Sequence, residues 1–364
     1  MNGLGPDWKD RLLHKFPLCS VKGELRDASG GAFICKYKPL KKLGEGTFGY
    51  VDLFTRKDAS GAVMTVAMKR PKFPEMKLLD EGIFQQRLHN DLAAYGLGHC
   101  VPKVYDIFVY QPTGDVWFTM EAFKPVLLSQ WCVANMKEAA DPSYLFVMLL
   151  LQIALIIEVL ESEMKIDHRD LKVNNMIVVD ESTTIEINWK GVERAVEFPF
   201  RIVIVDFGFA CLGKIIDVRS SEGLPPLHAC PREGRNIFQV LVSLWNIHSV
   251  RMSLGEGWGA WIREKISEVI PLTPCVALVE SAKGLDWMYT LTENPDFRAP
   301  LCVAHRIIKD CIHYLHVMDN DSVGRVSRRS SGSLLGPLGQ GPLASAQKIE
   351  TGTDDLDESI HRSV

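Results

Sequence analysis

The stretch IDHRDLKVNN, residues 166–175, sets two carboxylates, three basic side chains and two amides in ten positions, directly after a long apolar run. Asp170 is suited to face a reacting hydroxyl as base and orienter. Lys172, two residues on, can reach a transferring phosphoryl group. Asn175, five residues after Asp170, can offer its side-chain oxygen to a metal ion. His168 reads as a packing and hydrogen-bonding residue of the loop, and Arg169 as an anchor for a neighbouring segment. Further on, VIVDFG places Asp206 at the end of an apolar strand, with Gly208 free to turn. A carboxylate there is expensive to bury unless it meets a cation. A magnesium ion with nucleotide oxygens would supply that partner.

Upstream, LGEGTFGYV (43–51) spaces Gly44, Gly46 and Gly49 as G-x-G-x-x-G. Alone, this spacing suits a glycine-rich hairpin equally well. A strand-like run, CKYKPLKK, leads in, and YVDLF leads out. A dinucleotide-binding fold needs a helix after the glycines. Strand, loop and strand instead make a flap whose backbone approaches triphosphate oxygens without Cβ obstruction. Lys69 ends the strand-like VAMK. Its stem would be buried and its ammonium needs an acceptor. Glu81 is the helix carboxylate expected to hold it, because E-x-x-F-x-x-x-L turns Phe84 and Leu88 onto a neighbouring inward face. Glu75 is the fallback.

Elements that position these groups follow from periodicity. From Tyr37 to about Glu121, β-type runs are separated by DASG and PTGD turn signals, which predicts an antiparallel sheet built from hairpins. One helical stretch, 75–96, interrupts them. From Pro142 the pattern turns helical, over 143–163, 234–250, 256–269, 275–290 and 299–317. The expected architecture is α+β: an N-terminal extension (1–36), a small β-rich lobe (37–121), a larger helical lobe (124–318) and a Ser/Gly/Pro-rich disordered tail (319–364). The run YLFVMLLLQIALIIEVL (144–160) contains Gln152 and Glu158 and falls short of about 18 uninterrupted apolar residues. It is expected to be a buried helix, with no membrane span. A net charge of −4 gives no footing for a nucleic-acid binder. Nine scattered cysteines, with no CxxC pair, speak against a disulfide framework or zinc site and suit a reducing intracellular compartment, cytoplasmic or other. The N-terminus shows no signal-peptide core.

Four motifs, Gly44-x-Gly46-x-x-Gly49-x-Val51, Val66-Ala67-Met68-Lys69, His168-Arg169-Asp170-Leu171-Lys172-Val173-Asn174-Asn175 and Asp206-Phe207-Gly208, occur in the order and contexts of the protein kinase superfamily, which this sequence resembles over about residues 37–316. The resemblance implies a two-lobed kinase-like fold that takes ATP and Mg²⁺ and acts on protein substrates. Leu43, Gly44, Gly46, Gly49 and Val51 would cover the nucleotide, with Lys69, held by Glu81, on its phosphates. Ala67 and Met120 would line the adenine pocket, and the backbone of Glu121 and Phe123 would bond the base. Asp170 would be the catalytic aspartate, assisted by Lys172, while Asn175 and Asp206 would hold magnesium. Lysine two places after that aspartate is the serine/threonine pattern.

The sequence departs from the family after Asn175. Thirty residues separate it from Asp206, more than twice the usual interval, and the surplus around 180–201 is expected to lengthen a hairpin. No Ala-Pro-Glu follows Asp206. Asn236 stands where an aspartate normally braces the catalytic loop, and Arg298 resembles an arginine whose glutamate is missing, with Glu233 or Glu222 as substitutes. Ser220 and Ser221 offer a phosphorylation switch that the short segment is expected not to need, and Ser330 and Ser331 follow Arg328 and Arg329 in the tail as phosphorylation candidates. The leading expectation is a serine/threonine protein kinase. A small-molecule kinase and a pseudokinase scaffold are the alternatives; the complete motif set favours chemistry over a scaffold.

Overall fold

Among the described residues, runs rich in Val, Phe, Tyr and Thr form the first seven strands: β1 (Cys19–Val21), β2 (Glu24–Arg26), β3 (Phe33–Glu45), β4 (Gly49–Asp58), β5 (Val63–Pro71), β6 (Val104–Tyr110) and β7 (Asp115–Glu121). The computed structural model describes residues 19–46, 49–73, 78–124, 126–189, 192–212, 216–217, 231–267, 269–270 and 273–323. Two hairpins turn on the same four residues, Asp27-Ala28-Ser29-Gly30 between β2 and β3 and Asp58-Ala59-Ser60-Gly61 between β4 and β5. In each, the aspartate carboxylate accepts from the backbone N–H two and four residues on. A glycine with positive φ completes each turn, 78° at Gly30 and 90° at Gly61.

The strands run in the order β1-β2-β3-β4-β5-β7-β6 and close into a barrel, because β1 pairs in parallel with β6 at Cys19↔Val109 and Ser20↔Tyr110. The boundary expected between residues 36 and 37 therefore falls inside β3, and residues 19–26 belong to the sheet rather than to an extension. Closure removes two open sheet edges. It also encloses a small core of Leu25, Cys35, Tyr37, Val66, Met68 and Phe108. Tyr37 stacks on Phe108 at 5.7 Å and donates its hydroxyl to Asp106, whose carboxylate also accepts from Arg56 Nε at 2.6 Å. Helix α1 (Leu79–Ala93) crosses the sheet with Ile83, Phe84, Leu88 and Leu92 buried.

The larger lobe opens with α2 (Leu128–Asn135) and α3 (Pro142–Glu158). Asp141 caps α3 by accepting from Tyr144 N–H, and Pro142 takes the first helical position, where its missing donor costs nothing. The stretch Pro142–Glu163 is long and apolar enough to cross a membrane, but 72% of its most apolar window is buried inside the fold. Then come β8 (Ile166–Asp167), β9 (Met176–Val179), β10 (Thr183–Trp189), β11 (Val192–Phe198), β12 (Arg201–Ile204), β13 (Cys211–Leu212) and β14 (Ile216–Asp217). β9 pairs with β12 from Val179↔Arg201 to Met176↔Ile204, and β10 with β11 from Thr183↔Phe198 to Trp189↔Val192. The surplus residues thus form a hairpin of their own.

Among the described residues, five helices complete the lobe: α4 (Arg235–Trp245), α5 (His248–Ser267), α6 (Cys275–Val279), α7 (Gly284–Glu293) and α8 (Ala304–Val323). The run expected as one helix over 275–290 breaks between α6 and α7. Gly284 allows the break: a Cβ there would lie 2.1 Å from Val279 O. The run expected as one helix over 234–250 divides between α4 and the start of α5, and α5 itself kinks at Gly255, φ 63°. Residues 1–316 form one unit and 317–364 a second. Of the second, only the end of α8, to Val323, is described, so the expected tail lies otherwise outside the described residues. Among the described residues seven cysteines are free, while Cys211 is disulfide-bonded, which their scattered spacing did not foreshadow.

Candidate active site

Lys69 lies in β5 opposite Phe118 of β7, and its ammonium reaches two carboxylates. Nζ donates to Glu81 Oε1 at 2.5 Å and to Asp206 Oδ1 at 2.8 Å. Lys69 and Glu81 are buried. Glu81 is thus the partner on α1; the fallback, Glu75, lies outside the described residues. Burial disfavours charge on Lys69, yet Asp206 and Glu81 outweigh it and raise the ammonium's pKa above its usual value. Burial also pushes Asp206 up, but Lys69 prevails and holds the carboxyl below the usual range. For Glu81 burial wins and the pKa is raised. Asp206 itself has φ 65°, a left-handed backbone that non-glycine residues avoid. The preceding strand β12 and its ladder to β9 hold it there.

In the 166–175 loop, Arg169 is the second residue at φ 65°. The loop is pinned from beneath by one face of α4. Asn236 Oδ1 accepts from His168 N–H at 3.2 Å, Gln239 Oε1 accepts from Leu171 N–H at 2.8 Å, and Ser243 Oγ accepts from Val173 N–H at 3.2 Å. Gln239 Nε2 also donates to Arg169 O at 2.7 Å. Positions 236, 239 and 243 share one helix face. Asn236 therefore braces the loop as an uncharged group, and its Nδ2 donates to Glu161 Oε1 at 2.8 Å. Burial, aided by Asp167, pushes the Glu161 carboxyl up to about 8. His168 is buried: one ring nitrogen sits 3.2 Å from Val205 O and its ring packs on Phe207 at 5.0 Å. Burial lowers its pKa, which suits a packing role.

Asp170, Lys172 and Asn175 converge. Asn175 Nδ2 donates to Asp170 O at 2.8 Å and to Asp170 Oδ2 at 2.9 Å, and Lys172 Nζ lies 3.1 Å from the same Oδ2. With its nitrogen so used, Asn175 has its amide oxygen to give a cation. That oxygen and the Asp206 carboxylate are the hard donors that Mg²⁺ takes, with water and phosphate oxygens filling the remaining positions. The donor set fits the ion. Among the described residues there is no group of three or more His, Cys, Asp or Glu that could hold a metal.

The glycine flap is described except for residues 47 and 48. Gly44 pairs with Val51, and Gly46 N–H bonds Gly49 O at 2.8 Å. A Cβ on Gly49 would meet Arg70 O at 2.5 Å, so only glycine fits against β5. A Cβ on Gly46 would lie 3.7 Å from Asp206 Oδ2, which puts the flap over that carboxylate. Ala67 and Met120 are buried and face one another across β5 and β7, with Leu43 and Val51 packed against the same core. Between the lobes, Glu121 N–H is taken by Lys103 O at 2.8 Å, so a base contact from Glu121 falls to its carbonyl. The Phe123 ring lies under the Arg201 guanidinium at 5.4 Å.

Sequence reasoning missed Gln239, Ser243 and Tyr289. The first two left a trace as polar residues at helical spacing from Asn236 in the otherwise apolar NIFQVLVSLW. Tyr289 left none; its hydroxyl lies 2.6 Å from Asp170 Oδ1. Arg298 does not pair with Glu233 but donates to the carbonyls of Pro295 and Phe297. Glu222, Ser220, Ser221, Ser330 and Ser331 lie outside the described residues. A family model described as poxvirus serine/threonine protein kinase matches residues 133–228. The crystal structure of the BubR1 kinase domain aligns with 90% of this chain and 98% of its own, at 15% identity and a TM-score of 0.48. Motif order, the two-lobed α+β architecture and the family match over residues 133–228 liken this chain to the protein kinases.

Proposed function

We propose that the chain is an ATP-dependent serine/threonine protein kinase, transferring the γ-phosphoryl group of ATP to protein hydroxyls. The observation that carries this is the joined pair of contacts Glu81–Lys69–Asp206, together with the Asp170–Lys172–Asn175 cluster. Phosphoryl transfer needs positioning and charge stabilisation more than covalent help, and both groups of contacts supply these. Lys69 would steady the phosphates and Gly44, Gly46 and Gly49 would close over them. Leu43, Val51, Ala67 and Met120 would enclose the adenine, with the Glu121 carbonyl and Phe123 N–H on its edge. Magnesium, held by Asn175 and Asp206, would neutralise charge on the phosphate oxygens.

Asp170 would orient the acceptor hydroxyl and take its proton as the oxygen bonds to the γ-phosphorus. The bond to the β-bridging oxygen breaks, ADP leaves, and Lys172 offsets charge on the moving group. Incubation with labelled ATP·Mg²⁺ and a serine, threonine and tyrosine peptide library tests the reading. Transfer to serine or threonine is expected, falling by orders of magnitude in Asp170→Ala and Lys69→Ala while both proteins stay folded. Undiminished turnover in Asp170→Ala would sink it, as would a wild-type protein that binds nucleotide and transfers nothing.

A further inference from the structure

Tyr289 belongs to no motif, yet its hydroxyl bonds both Asp170 and Lys172. Its Oη lies 2.6 Å from Asp170 Oδ1 and 2.7 Å from Lys172 Nζ, while Lys172 Nζ is 3.1 Å from Asp170 Oδ2. The three groups close a ring: the ammonium donates to both the phenol oxygen and the carboxylate, and the phenol donates to the carboxylate. Burial, then the Asp170 charge, raises the phenol's pKa, so the hydroxyl keeps its proton and serves as donor. Asp170 Oδ2 also accepts from Asn175 Nδ2. Each carboxylate oxygen has two acceptor directions. Lys172 and Asn175 fill those of Oδ2, and Tyr289 takes one of the two on Oδ1. A single direction is left for an incoming hydroxyl.

Helix α7 is held at both ends, which fixes where Tyr289 points. At its start, Gly284 is pressed against Val279 O and Asn246, with no room for a Cβ. At its end, Arg232 Nη1 donates to Thr292 O at 2.7 Å and to Asn294 O at 2.6 Å. Met288, Leu291 and Thr292 are buried beneath it. The phenol thus approaches Asp170 from a rigid element of the large lobe.

We propose that Tyr289 is a positioning residue for phosphoryl transfer, whose hydroxyl orients Asp170 and Lys172 as one unit and leaves one acceptor site on Oδ1 for the substrate hydroxyl. This rests on the kinase reading above. Tyr289→Phe keeps the ring and removes the bond. A hydrogen bond to a charged group is lost, so kcat should fall about 10- to 100-fold. The KM for ATP·Mg²⁺ and the melting temperature should stay close to those of the wild type, because Tyr289 touches neither the nucleotide flap nor Lys69. A kcat within about twofold of wild type, or a parallel loss of kcat, nucleotide affinity and melting temperature, would overturn the proposal and leave the kinase reading standing.

A wild-type protein without turnover defeats the kinase reading before any variant is made. For that case, 3-fluorotyrosine at position 289 reports the contact without catalysis. Its fluorine resonance should move on Asp170→Ala in nucleotide-free protein, and an unmoved resonance would refute the placement itself.

Discussion

At the scale of single residues, the cleft is a problem in placing charge where water is scarce. Asp206 has its carboxyl held below the usual range mainly by Lys69, 2.8 Å away. Its left-handed backbone costs about 1–2 kcal/mol for a residue with a Cβ. Asp206→Asn retains the shape and removes the charge. Nucleotide affinity should then fall more with magnesium present than without it, as titration calorimetry in the two conditions would read; equal losses would assign Asp206 a structural part. Glu161 gives a second prediction. Its carboxyl titrates near 8 in the fold, against 4.5 as the ordinary value. Between those pH values the unfolded chain has lost the proton while the folded one still binds it. Stability therefore declines as pH rises through that window and levels off above it. Glu161→Gln can still accept from Asn236 but cannot ionise. Melting temperatures measured across the window should fall less for the variant, and parallel curves would contradict the assignment.

At the scale of elements, α4 does what a charged brace would do, by uncharged means. Gln239 alone serves two backbone groups of the loop, Leu171 N–H and Arg169 C=O. Both are buried, and a buried polar group stripped of its partner costs about 1–3 kcal/mol. Gln239→Leu should therefore lower stability by a few kcal/mol at most and reduce kcat through a looser Asp170. Ser243→Ala, which frees Val173 N–H and removes a bond to Val240 O inside the helix, should do less. Chemical denaturation beside steady-state kinetics would rank the two, and a reversed order would show that the loop is held elsewhere. The β10–β11 hairpin keeps its register in step over seven pairs, and its described side chains make no hydrogen bond to Asp170, Lys172 or Asn175.

At the scale of the molecule, the small lobe is a closed barrel because residues 19–26 complete it. Leu25 is fully buried there against Val66, Met68 and Phe108. Removing residues 1–26 would expose that core and reopen two strand edges. Burial of one leucine is worth about 1.5–3 kcal/mol, so the truncated chain should melt several degrees lower and aggregate through the edges of β3 and β6. A scanning-fluorimetry trace matching that of the full chain would show β1 and β2 to be passive. The larger lobe hangs on α3, whose residues from Phe146 to Ile157 are all buried. That explains how a helix of membrane-like composition serves as a core.

The local grouping of candidate residues was legible without the structure. The glycine spacing, Lys69, Glu81, the 166–175 stretch and Asp206 declared themselves by residue type within short windows, because each needs a particular side chain at a particular step along a strand or turn. The β-rich and helical lobes were readable for a related reason: periods of two and of 3.6 are carried by consecutive residues. What only the tertiary structure decided lies far apart in the chain. Tyr289 meets Asp170 across 119 positions, and Gln239 meets Leu171 across 68. The start of the small lobe was misplaced because β1 and β2 are three residues each. A strand that short shows no period, and its membership of the sheet rests on its partners.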